Sequence, residues 1–505
     1  MYFLTNKIKL LFILLFPLLF YCNVNIFAND SSITPAIGIS HQINDYLGFN
    51  GNMIAAGNNP WENKNLLETL KCSNVSIFRY PGGTLGNYWD MSLGWIDPNA
   101  ALNDMPGWIG KLKNSKDRYT LKDLAIACSK STKITPFFVA NMLTKNCKDF
   151  INNLKEAKSD GIPVKYIELG NEFFYPPSVN PSYESSFKNG YKYGEVSKQW
   201  IKKIKEVFPN AQIGIVANLN TASNVESRRK SWNETMMKNN VKADALIVHF
   251  YFDSGVTPSD GKSSSPFWGT KNQQVQQYNN LKNSDCLASM LQRPAKVWEQ
   301  YLNYTPYLKS SKKNIWITEF NINDTTGPTR ETWAHGLLIA NTLNVFLKDR
   351  RITHILMHNF FSGPEYSAVF SNSNFFSGLL VKDLAPQTNF QTTTYDLTAT
   401  GHVIQLFATA MKNMNKATQL KINDSSFGWL FSNNQNEKKG IIVNNSSSSI
   451  KLDLSKTLNE NSVYLQFNAN PLSYPTSIQT PGKTGDIIKT LDIPGYSITL
   501  ILGDK

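Results

Sequence analysis

Histidine and cysteine are scarce in this chain, and their scarcity narrows its chemistry. Six histidines are spread over 505 residues, and none forms an H-E-x-x-H or similar pairing around a metal. The five cysteines are not spaced as a zinc site. Acidic residues are fewer than basic ones, 38 against 51, giving a formal net charge of +13. The excess is not organised into any nucleic-acid-binding module. After Tyr21 no stretch is long and apolar enough to span a membrane. Gly82-Gly83 lacks the lysine and following helix of a phosphate loop, so it reads as a tight turn. Disorder is also excluded, since hydrophobic residues make up 41% and charged residues 18%.

What is present begins with a targeting segment. Lys7 and Lys9 precede an apolar run, Leu10 to Tyr21, that is broken by Pro17. Ile26-Phe27-Ala28 offers a small residue for cleavage, so residues 1–28 read as a signal peptide and the mature chain as secreted or periplasmic. Bulky Tyr21 before Cys22 argues against a lipoprotein. Cleavage would leave Cys72, Cys128, Cys147 and Cys286, which allow three pairings. Cys72 and Cys128 both precede a strand and are the pair to consider; buried thiols are the alternative. Removing two lysines from +13 leaves about +11. That charge is either a lysine-rich solvated surface or a match to an acidic polysaccharide. No nucleic-acid partner, no cofactor, no metal and no stable membrane span after cleavage are expected.

The body of the chain alternates strands and helices. Strands begin near residues 46, 75, 134, 164, 212, 245, 314 and 353. Helical periodicity falls between most of them, as at Glu62–Leu70, Leu121–Lys130, Lys148–Ser159, Tyr193–Val207 and Thr329–Lys348. A polar insertion from Asp253 to about Asn303, containing Trp268, separates the sixth and seventh strands. Eight such repeats predict an α/β fold, a (β/α)8 TIM barrel over residues 45–400. After residue 400 a helical run, His402–Lys412, leads into short alternating segments split by Asn, Ser and Gly clusters. Residues 401–505 therefore predict a C-terminal antiparallel β-sandwich domain, which a strand within residues 29–44 could join.

Two of the barrel strands end alike. Val164 to Leu169 is followed by Gly170-Asn171-Glu172, and Asn314 to Thr318 by Glu319. An unpaired buried carboxylate is costly, so such a residue should be functional, paired, or at a solvent-open end. Barrel active sites form at strand C-terminal ends. Arg79, Asn171, Glu172, His249, Tyr251 and Glu319 all fall there, on four different strands. Two carboxylates meeting at such a rim suit glycosidic bond cleavage, in which one protonates the leaving oxygen and the other attacks or activates water. Arg79 could hold Glu319 ionised, Tyr251 could donate to the same carboxylate, and His249 could orient the acid. Asn171 could bond a sugar hydroxyl. Trp89, His358 and Asn359 complete the candidate binding residues.

Phe78-Arg-Tyr-Pro-Gly-Gly-Thr84 with Tyr88-Trp-Asp90, Leu169-Gly-Asn-Glu172, His249-Phe-Tyr251 and Thr318-Glu-Phe-Asn321, taken in order, resemble clan A retaining glycoside hydrolases. The α-L-arabinofuranosidase and heparanase/β-glucuronidase groups look most similar. Ile493-Pro-Gly-Tyr-Ser-Ile-Thr-Leu500 resembles the last strand of their sandwich. The resemblance implies a glycosidase acting by double displacement, with Glu172 as acid/base, Glu319 as nucleophile, and Arg79, Asn171, His249 and Tyr251 around them. Phe173-Phe-Tyr-Pro and His358-Asn359 depart from the family pattern. A non-catalytic glycan-binding or adhesion protein on the same scaffold is the alternative.

Overall fold

The computed structural model describes residues 32–51, 63–101, 105–113, 118–130, 134–255, 271–323, 329–361, 366–370, 395–458, 462–473, 483–486 and 489–503. The segment expected to be a signal peptide, with Cys22, and Trp268 in the insertion lie outside the described residues.

Eight parallel strands close into a barrel. In chain order, barrel strands 1 to 8 are Leu47–Asn50, Ile77–Tyr80, Thr135–Val139, Tyr166–Leu169, Gln212–Val216, Ala245–Phe252, Asn314–Ile322 and Ile352–Met357. Each pairs with its sequence neighbours, and strand 8 closes on strand 1. Every second side chain points inward, so Ile77, Phe137, Tyr166, Ala245, Ile247, Trp316 and Leu356 form one buried cluster that plugs the barrel. Gly214 makes room for that plug, since a Cβ there would stand 2.7 Å from the Trp316 ring. Above the plug the inward positions turn polar: Arg79, Glu168, His249 and Thr318.

The connecting helices start where asparagine caps them. Asn63, Asn146 and Asn189 each accept from a backbone N–H in the first turn of Lys64–Cys72, Cys147–Ser159 and Gly190–Val207. The insertion after strand 6 is not a plain polar loop. Its described part folds into helices Lys271–Leu281, Ser284–Leu291 and Arg293–Tyr304, whose buried Leu287, Leu291, Val297 and Trp298 give them a core face.

The C-terminal sheet has seven strands. Ala36–Gln42 lies at one edge, antiparallel to Lys416–Lys421. Ser426–Ser432, Lys438–Asn444, Ser497–Leu502, Val463–Asn468 and Lys483–Asp486 follow. The second layer is only a two-stranded ribbon, Ile450–Asp453 with Thr490–Ile493. Ile442, Tyr464 and Ile501 of the sheet pack there against Leu452, Leu491 and Ile493. The opposite face needs no sheet because helices cover it. Helix Trp333–Lys348 is buried around its whole circumference up to Leu347, and Trp429 of the sheet donates to its Asn344 (3.0 Å). Helix Ala399–Met411 packs beside it, with Val403 and Ala399 against Gly336. Cys72 is an exposed free thiol, so the Cys72–Cys128 pairing considered from sequence is absent.

Candidate active site

A cavity of about 570 Å3 opens at the C-terminal ends of the barrel strands. Glu172, His249, Tyr251, Glu319 and His358 line it, together with Tyr366. The residues beneath it explain its charge state.

Arg79, fully buried at the end of strand 2, is the hub. Its Nε and Nη2 donate to the two oxygens of Glu168 (2.7 and 2.6 Å), Nη1 to Glu319 Oε1 (2.5 Å), and Nη2 also to Asn171 Oδ1 (2.8 Å). Glu168 did not stand out in sequence. The signal was there, because strand alternation puts it on the inward face with Tyr166, where a carboxylate needs a cation. One guanidinium therefore bridges two buried carboxylates.

Glu319 receives Arg79 on one oxygen and the Tyr251 hydroxyl on the other (2.7 Å). Burial by itself would raise its pKa. The His249 and Arg79 charges and the Tyr251 bond outweigh burial and hold the carboxyl well below the usual range. His358 is neutral at neutral pH, its own pKa pushed down to about 4 by burial, so the permanent cation is Arg79. Strict alternation would not aim Thr318 and Glu319 at the same place. The register with strand 6 shifts between Ile317 and Glu319, and this bulge turns Glu319 inward beside Thr318. Thr318 then bonds both Glu168 (3.3 Å) and His249 (3.2 Å).

Glu172 sits in a different setting. Its backbone is left-handed (φ +52°), a conformation a non-glycine residue adopts at a cost of about 1–2 kcal/mol. Gly170 before it has φ +87°, and a Cβ there would stand 1.9 Å from the Phe173 ring. Asn87 clamps the turn, accepting from Asn171 N (2.9 Å) and donating to Asn171 O (2.8 Å). Glu172 Oε1 meets His249 Nδ1 at 2.8 Å, and that nitrogen is 3.6 Å from Glu319 Oε2. Burial works against a charged His249, but Glu319 and Glu172 overcome it and raise the imidazole pKa. One oxygen of Glu172, one nitrogen of His249 and one oxygen of Glu319 all lie within 4.8 Å of one another. Glu319, however, already accepts on both oxygens and has the Arg79 cation against it, which opposes a metal ion at this place.

Asn171 is buried, and its Nδ2 has no hydrogen-bond partner among the described residues. Asn359 is buried behind His358, with the Ala368 N–H on its carbonyl, and does not line the cavity. Trp89 is not brought to the cavity. It is 1% exposed, edge-on to Tyr80 and beside Trp95, because the aromatics of this loop pack on one another. The sequence did not single out Tyr175, Arg229 or Tyr366, which do line the cavity. They come from loops and one helix, where no periodicity marks an inward side chain.

No protein-family model and no curated protein matches the chain. Solved structures do. The GH51 arabinofuranosidase from Xanthomonas axonopodis pv. citri superposes with a TM-score of 0.58 at 12% identity, covering 93% of this chain and 99% of that one. The α-L-arabinofuranosidase from Thermotoga maritima gives 0.57 at 14% identity over 93% and 97%. A 4-O-α-L-rhamnosyl-β-D-glucuronidase from Fusarium oxysporum gives 0.53 at 13% identity over 94% and 99%. The fold is thus the one these glycosidase structures share, a (β/α)8 barrel with an appended β-sheet domain. Arabinofuranosidase and glucuronidase, the two groups indicated by the motifs, are both represented among these structures.

Proposed function

We propose that the protein is a glycoside hydrolase that cleaves O-glycosidic bonds of a polysaccharide or oligosaccharide with retention of configuration. The observation that carries this reading is the pair Glu172 and Glu319, with oxygens within 4.8 Å in one cavity. Retaining enzymes hold their carboxyl groups about 5–5.5 Å apart, inverting ones about 6.5–9.5 Å.

The two environments assign the roles. Glu319, ionised by Arg79 and oriented by Tyr251, attacks the anomeric carbon. Glu172, the more exposed carboxyl, gives its proton to the glycosidic oxygen as that bond breaks. Glu172 then takes a proton from water, whose oxygen attacks the same carbon and frees Glu319. His249 lies between both carboxylates and steers Glu172. By its place before Glu172 in the motif, Asn171 is assigned to the sugar 2-hydroxyl, although it is buried beneath the cavity lining.

Further parts of the reading rest on the sequence. The enzyme is α-L-arabinofuranosidase-like or β-glucuronidase/heparanase-like by its motifs, and the net charge of +13 is compatible with an acidic polysaccharide as well as with a lysine-rich solvated surface. Residues 1–28 direct export. Residues 45–400 form the catalytic unit, with residues 401–505 and the strand before it as the sheet domain.

A panel of aryl glycosides tests the proposal. One member should turn over with net retention, read from the product anomer by proton NMR. Glu319→Ala should lose about 10^4-fold or more in kcat. Glu172→Ala should lose about 10^2–10^4-fold, and azide should restore turnover of activated aryl substrates as the glycosyl azide. An inverted product would sink the nucleophile assignment.

A further inference from the structure

Two consecutive arginines on helix Ser227–Met237 are used in opposite ways. Arg228 is committed to backbone. It donates to the carbonyls of Tyr175 (3.1 Å), Phe173 (2.7 Å), Phe187 (2.6 Å) and Lys188 (2.5 Å), which pins the loop after Glu172. Arg229 is not committed in this way. Its acceptor is Asn218 Oδ1, at 3.4 Å from Nε and 3.5 Å from Nη2, the long limit for such a bond. Aromatic rings hold it instead: the guanidinium carbon lies 4.9 Å from the Tyr175 ring centre and 5.7 Å from that of Phe174.

Arg229 lines the catalytic cavity and is the only lysine or arginine among the described residues that do. The acids there are accounted for otherwise. Asp253 is bound by Arg293, and Glu319 by Arg79. No carboxylate among the described residues pairs with Arg229. A half-buried, permanently charged planar fork, fixed on aromatic faces and turned to a cavity, has the chemistry of a carboxylate or sulfate receptor.

Its place in the cleft identifies which part of a ligand it meets. Tyr175 N donates to Glu172 O (3.1 Å), so the ring under Arg229 belongs to the Glu172 turn. The Glu172 charge is also the largest influence raising the Tyr175 phenol, and that of Glu319 the smallest. Arg229 therefore stands on the Glu172 side. In the proposed reaction the acid faces the bridging oxygen, and the leaving group lies beyond it.

We propose that Arg229 is a specificity residue that binds an anionic substituent, a carboxylate or a sulfate, on the leaving-group sugar. It lets an acidic chain enter a cleft that Glu172, Glu319 and Asp253 also line. This inference rests on the glycosidase reading for the identity of that side, although the anion contact itself does not.

The test uses matched oligosaccharides that differ only on the leaving-side unit. One pair is a uronate and its carboxyl-reduced form; the other is a sulfated unit and its desulfated form. Wild type should prefer the anionic member of one pair, which distinguishes carboxylate from sulfate. Arg229→Gln should shrink that preference about tenfold or more, mainly through KM, and Arg229→Lys should fall between. Added salt should narrow the wild-type preference. Equal treatment of both members by wild type, or a ratio unchanged in Arg229→Gln, overturns the proposal. Calorimetric binding of the same pairs to wild type and Arg229→Gln needs no turnover. Charge-selective binding that Arg229→Gln removes, without hydrolysis by wild type, keeps the anion site and overturns the hydrolase reading. Hydrolysis without charge selection overturns the anion site alone. Thermal unfolding of both variants shows that each is folded.

Discussion

Barrel strands 4 and 7 both deliver a glutamate to the same cavity, but by opposite backbone devices. Strand 4 stops at Leu169, and Glu172 is thrown forward by a glycine turn and its own left-handed backbone. Strand 7 continues to Ile322 and rotates Glu319 inward through a bulge. The first device leaves its carboxyl partly open to the cavity, touching a titratable imidazole. The second seats its carboxyl against a guanidinium and a phenol. The difference teaches how one rim obtains two carboxylates with separate duties. Exposure and a proton-exchanging neighbour suit an acid, while burial beside a fixed cation suits a group that must stay ionised.

Three changes would break or sharpen this contrast. The largest effect is expected from Arg79→Met, which leaves Glu168 and Glu319 buried without their cation. It should cost about 3–5 kcal/mol in urea unfolding, since removing one partner strands the others. Unchanged stability would mean that the cluster is not a unit.

Gly170→Ala strikes the other device. The new methyl meets the Phe173 ring, which is held by Phe187 (centroids 4.6 Å apart) and Tyr183 (5.4 Å apart). A loss of roughly 1–3 kcal/mol is expected, with a fall in kcat, because Glu172 is carried by the same turn. Full activity in Gly170→Ala would show that the turn does not set the Glu172 position.

The smallest effect concerns pH. Glu319 has its folded pKa below the unfolded value of about 4.3, so its ionisation adds stability above that pH and loses it as pH falls toward the folded value. The stability difference between wild type and Glu319→Gln should therefore narrow on acidification from pH 7 to pH 3, followed by denaturant unfolding at each pH. A difference that stays constant would place the Glu319 pKa in the ordinary range.

The contrast was only partly legible in the sequence. Both strands and both glutamates could be read, because a buried strand that ends in a carboxylate is a local pattern. Glu168 was passed over although it lay in the same motif, since an acid inside an apolar run gives no sign of its partner. Arg79 supplies that partner from two strands away. The bulge before Glu319 has no residue signature, and the left-handed Glu172 has no glycine of its own to announce it. Trp89 is a candidate binding residue by sequence, but the loop folds it into its own aromatic cluster.

By itself the sequence determined the eight-strand rhythm, the strand-end positions and the motifs, because periodicity and chain order are properties of neighbouring residues. Only the tertiary structure decided which charges meet. Arg79 joins strands 2, 4 and 7, Arg229 reaches the cavity from a helix, and helices Trp333–Lys348 and Ala399–Met411 cover the face of the seven-stranded sheet opposite its two-stranded ribbon. Ion pairing and burial act through space over a few ångströms, and the residues involved are brought together only when the barrel closes.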